Sequence, residues 1–82
     1  GRFASIILFR DLLMSEIRAN ILDHLTREAP VSSTILLDKF SSLHRVERGA
    51  VSVALDDLRH LGLIEISVGA VTLTPLAMRL SR

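Results

Sequence analysis

The stretch Gly49–Thr74, GAVSVALDDLRHLGLIEISVGAVTLT, constrains the fold more than any other part of the chain. Val51, Ala54, Leu55, Leu58 and Leu61 recur at helical spacing and predict one buried stripe on a helix that ends at Leu61. Gly62 stands where a left-handed C-cap is wanted, with Leu63 placed to close the hydrophobic contact beyond it. Leu63–Val68 and Val71–Thr74 then alternate apolar and polar residues around Gly69-Ala70, the pattern of a two-stranded hairpin. A helix thus feeds straight into a small hairpin, and function rests on what the two carry on their outer surfaces.

Upstream, Phe3–Ala29 holds no Gly or Pro, and Ile6, Phe9, Leu13, Ile17, Ile21 and Leu25 keep helical spacing throughout. One long helix or two abutting ones satisfy that spacing. Ser15 as N-cap, with Glu16 in the first turn, favours a break there. Pro30 ends the helix, and Val31 serves as a one-residue strand position. Ser32 or Ser33 caps a short helix over about Thr34–Phe40, with Leu36 and Phe40 inward and Ile35 and Leu37 flanking them. Ser41–His44 reads as the turn, with Leu43 plugging the core, and the third helix begins between Arg45 and Gly49. Thr74-Pro75 starts a closing helix through Leu80, Thr as cap and Pro at the first helical position. The sum is a mainly α chain with a small β-hairpin, an α+β fold in one domain: an accessory helix over 1–14 and a core over 15–80.

That order of elements resembles the winged helix-turn-helix DNA-binding domains of ArsR- and MarR-like transcription regulators, over about Ser15–Leu80. The segment VSVALDDLRHLGLIEI looks like the family's recognition helix running through a Leu-x-x-Leu-x-x-x-Gly-Leu-Ile junction. ILDHLTREAPVSSTILLDKF is similar to its first two helices, and LTPLAMRL to the ending common in MarR-like and PadR-like proteins. The resemblance implies a winged helix with an extra N-terminal helix, the third helix in the major groove and the hairpin on the flanking backbone. It implies a DNA-binding module, dimeric, in transcriptional regulation or DNA maintenance, with double-stranded DNA as partner. Steps of about 100° put Arg45, Gly49, Ser52, Val53, Asp56 and His60 opposite the buried stripe, with Arg48 and Arg59 at the edge. The expected DNA-binding set is therefore Arg45, Arg48, Ser52, Val53, Asp56 and Arg59. Arg45 and Arg48 stand at the helix start, within reach of phosphates or a guanine edge, and Ser52 matches the family's polar DNA-facing position.

Three departures point the other way. Val53 stands where the family often carries Arg or Lys, and Asp56 and Asp57 replace a pair that is usually basic or neutral. The hairpin tip, Ser67-Val68-Gly69-Ala70, carries no positive charge. These features support the alternative, a winged helix used as a protein-interaction module in a larger assembly.

Charge agrees with a modest electrostatic footprint. The net charge is +1, and Arg45, Arg48 and Arg59 are matched by Glu47, Asp56 and Asp57, so no basic stripe forms. Absence of Trp and Tyr argues against base-stacking platforms, and absence of Cys fits a cytoplasmic protein without disulfides or thiolate metal sites. Nothing points to an enzyme: Asp56 and Asp57 are adjacent and diverge on a helix, His24, His44 and His60 lack metal spacing, and no Gly-rich phosphate loop occurs. No cofactor, metal or small-molecule substrate is expected.

Phe3–Phe9 is too short to span a bilayer and lacks the features of a signal peptide, so no membrane partner is expected. Opening on Gly1 rather than Met, the chain reads as a trimmed protein or a piece of a larger one. Phe3, Ile6, Ile7, Leu8, Phe9, Leu12 and Leu13 give seven large apolar residues in eleven, more than one helical stripe needs. They predict a homodimer, or a partner protein, held through the N-terminal helix.

Overall fold

With no helix breaker before Pro30, one uninterrupted helix, α1, runs over Arg2–Glu28. The structure, a computed structural model, describes the backbone of residues 2–80 and the side chains of residues 11–80. The expected break at Ser15 does not occur. Ser15 is exposed on the helix, and its hydroxyl accepts a hydrogen bond from Arg18 Nη2 at 3.1 Å instead of capping a second helix. At about 1.5 Å per residue α1 is about 40 Å long. That length sets the longest dimension of the molecule, which measures 41 × 26 × 19 Å.

The remaining elements are β1 (Val31–Ser32), α2 (Ser33–His44), α3 (Arg48–His60), β2 (Ile64–Ser67), β3 (Ala70–Leu73) and α4 (Pro75–Leu80). The molecule is mostly helical, with a small antiparallel sheet in the order β1-β3-β2. Val31 and Ile66 pair with Val71 from opposite sides, so Val71 sits in the central strand and is fully buried. Ile17, Ile21 and Leu25 of α1 meet Leu36 and Phe40 of α2, the Val51–Leu58 stripe of α3, and Ile64 and Val71 of the sheet in one core. Thr74 links sheet to α4: its hydroxyl donates to the Gly62 carbonyl at 2.6 Å and accepts from the Ala77 N–H at 3.2 Å.

Helix ends account for most differences from expectation. α2 continues through His44, so Ser41–His44 is its last turn and the connection to α3 is Arg45–Glu47. Arg45 is left-handed, with φ 54°, and donates its N–H to Ser42 while the Val46 N–H reaches the Ser41 carbonyl at 3.0 Å. The longer helix places His44, four residues after Phe40, over that ring at a centroid distance of 6.1 Å. Leu43 is thereby turned off the core and exposed rather than plugging it. α3 closes in the same way, Gly62 (φ 76°) donating to Arg59 and Leu63 donating to Leu58, each at 3.0 Å. Half-buried Leu63 takes the apolar position beyond the cap, so the stripe ends at Leu58 and Leu61 is exposed.

The hairpin turns on Val68 and Gly69, one residue earlier than Gly69-Ala70. Both have positive φ, 50° and 75°, and Ser67 pairs with Ala70 as the last rung. The Ser33 N–H, opening α2, donates to the Gly69 carbonyl at 2.8 Å and ties the hairpin turn to α2.

Of the residues expected at a dimer face, Phe3, Ile6, Ile7, Leu8 and Phe9 lie outside the residues whose side chains are described. Leu12 is exposed and Leu13 is half-buried against the core. Among the described residues no helix is long and apolar enough to cross a membrane.

Candidate functional site

Burying Val51, Ala54, Leu55 and Leu58 turns the opposite side of α3 outward. Gly49, Ser52, Val53, Asp56, Arg59 and His60 are all exposed, as helical spacing predicts. Four of the six expected site residues, Ser52, Val53, Asp56 and Arg59, line one shared groove of about 440 Å³. The rest of its lining is Ser33 and Leu37 of α2, Leu55 of α3 and Ile66 of β2. Ile66 follows Ile64 by two residues, so strand alternation puts it on the side facing α3, a signal present in the sequence. Leu37 and Ser33 come from another element, and only tertiary packing brings them there.

Arg45 and Arg48 stand apart from that groove. Arg48 Nε lies 3.3 Å from Asp38 Oδ1 of α2, both side chains largely exposed. Arg45 occupies the left-handed turn before α3, exposed and without an ion pair among the described residues.

The acids of α3 divide their roles. Adjacent residues on a helix diverge by about 100°. Asp56 points outward, its Oδ1 accepting from Arg59 Nη2 at 2.9 Å, whereas Asp57 Oδ2 accepts from Arg18 Nη1 of α1 at 3.0 Å. The expected matching of Arg45, Arg48 and Arg59 with Glu47, Asp56 and Asp57 is thus corrected: acids on α2 and bases on α1 enter the pairing. Hydrogen bonding to Arg59 holds the Asp56 carboxyl below the usual carboxylate range, with the charges of His60 and Arg59 acting in the same direction. His60 Nδ1 donates to the Asp56 carbonyl oxygen at 2.8 Å and lies 3.4 Å from Asp56 Oδ2.

The other two histidines are elsewhere, against Phe40: His24 meets its ring edge-on at 5.6 Å, and His44 stacks on it. Among the described residues no three His, Asp or Glu side chains are grouped to hold a metal ion. The groove offers the hydroxyls of Ser33 and Ser52, the Asp56–Arg59 ion pair and apolar walls. Comparison with protein-family models, with curated proteins and with solved structures finds no match for this chain.

Proposed function

We propose that the chain is a winged-helix module that binds duplex DNA, with α3 as the major-groove helix and the β2–β3 hairpin as the wing. What carries this reading is the exposed row on α3, flanked by the hairpin and opposed to a fully buried stripe. A helix presented in that way fits a groove about 12 Å wide, and Arg45, Arg48 and Arg59 are within reach of phosphates. The module acts as a dimer through Phe3, Ile6, Ile7, Leu8, Phe9, Leu12 and Leu13, in transcriptional regulation or DNA maintenance, inside the cell at the nucleoid or nucleus, and without catalysis. A two-fold axis would present two copies of α3 to neighbouring half-sites and offset the weak charge of each.

Titration of a labelled duplex at two salt concentrations is the test. About three neutralised phosphates per protomer give a log–log slope of about −3. A second reading, a protein-interaction module, is favoured by one observation: Arg48 and Arg59 already pair with Asp38 and Asp56, around a groove walled by Leu37, Val53 and Ile66. Absence of duplex binding at low salt would hand the function to that reading.

A further inference from the structure

Asp56 and Val53 are the two residues of α3 that a purely phosphate-binding face would not carry. We propose that the Asp56–Arg59 ion pair reads a C·G base pair as one unit, and that Val53 reads the methyl group of a thymine in the adjacent pair. The inference rests on α3 being a major-groove helix and names what it would recognise there.

A lone carboxylate in that groove is repelled by phosphates, but here its charge is matched by the guanidinium 2.9 Å away. The couple presents an acceptor beside a donor. Asp56 Oδ1 is taken by Arg59 Nη2. Oδ2 has His60 Nδ1 3.4 Å away, but that N–H is bonded to the Asp56 carbonyl oxygen, so Oδ2 keeps a lone pair to accept. The guanidinium has further N–H groups to give. In the major groove a C·G pair offers the complement: the cytosine N4 donor beside guanine O6 and N7, two neighbouring acceptors that suit a guanidinium. An A·T edge also sets a donor, adenine N6, beside the acceptors N7 and thymine O4, but it lacks the two acceptors side by side that a guanidinium takes together.

Val53 is more than half exposed in the middle of this face, where a β-branched apolar side chain gains nothing from water. The only apolar group on a base edge in the major groove is the thymine methyl. Val53 and Asp56 are three residues apart on one side of the helix, a rise of about 4.5 Å against about 3.4 Å per base step, so they address neighbouring pairs. A partly apolar face of this kind specifies sequence while adding little to general affinity. With Arg59 turned to the base edge, Arg45 and Arg48 are left for the phosphates, and the log–log slope falls to about −2 per protomer.

The test begins with duplexes enriched by the intact protein from a random pool at low salt. The enriched motif is expected to place C·G next to T·A. On that duplex, replacing the thymine by deoxyuridine removes only the methyl and is expected to weaken binding about three- to tenfold. Replacing the guanine by 7-deazaguanine removes N7 and is expected to cost roughly tenfold. Both arms use the unaltered protein. Asp56→Asn is expected to move the preference at its position from C·G to A·T, since a carboxamide pairs with adenine N6 and N7. A motif indifferent to both base analogues, and unchanged by Asp56→Asn, would overturn the base reading and leave DNA binding standing. No enrichment of any duplex would remove the DNA reading and this inference together.

Discussion

Val68 is the most strained residue of the described chain, a fully exposed β-branched side chain at φ 50° in a turn that suits Asn-Gly. Its left-handed conformation costs about 1–2 kcal/mol that no contact of the side chain offsets. Val68→Asn is expected to stabilise the protein by about 1 kcal/mol and raise Tm by about 4–8 °C in a thermal melt. An unchanged or lower Tm would mean that the Val68 side chain contributes to the folded state. Asp56 gives a second residue-scale expectation. Its carboxyl titrates below the ordinary range because Arg59 hydrogen-bonds the charged form, so Arg59→Gln is expected to shift the Asp56 NMR titration upward. A lowered folded-state value stabilises above the ordinary carboxylate pKa and loses that contribution as pH falls through the lower value. The stability difference between wild type and Arg59→Gln should therefore shrink on acidification.

Helix ends show which elements were legible in the amino-acid order and which were not. Gly62, Pro30 and Thr74-Pro75 mark their boundaries by chemistry that works locally: a free φ, a missing N–H, a capping hydroxyl. The end of α2 has no such marker. Arg45 adopts φ 54° because Val46, partly buried against the core, fixes the path of the chain, and no residue-type rule encodes that. Ser15 misleads for the opposite reason, being a good cap residue inside a helix that nothing interrupts. The same contrast yields paired expectations in urea unfolding. Gly62→Ala should destabilise by about 1 kcal/mol from backbone strain alone, since nothing lies within 4 Å of the added Cβ. Arg45→Gly should stabilise by about the same amount while weakening duplex binding on the proposed reading. If Arg45→Gly lowers stability, the left-handed turn is not where its cost lies. For the candidate site, the exposed row of α3 was readable from 100° steps, whereas Leu37, Asp38 and Arg18 enter only through packing between elements.

At the scale of the whole molecule, α1 carries the side of the core opposite α3 and the sheet. Among the residues whose side chains are described, its contacts with the core run from partly buried Leu13 and Met14 through Ile17, Ile21 and Leu25, while Leu12 is exposed. Light scattering is expected to find a dimer for the intact chain and a monomer once residues 1–13 are removed. A monomeric intact chain at tens of micromolar would overturn the proposed dimer, and a dimer that survives the truncation would move the interface elsewhere. The hairpin has a further consequence at this scale. It is anchored at its base by Thr74 on Gly62, along its edge by β1, and at its tip by the Gly69 carbonyl on the first N–H of α2. Held at three points, it stands beside α3 like a braced jaw. On the proposed reading, the gap between the two is a gauge of set width, and a duplex entering it must bend, widen or narrow to fit.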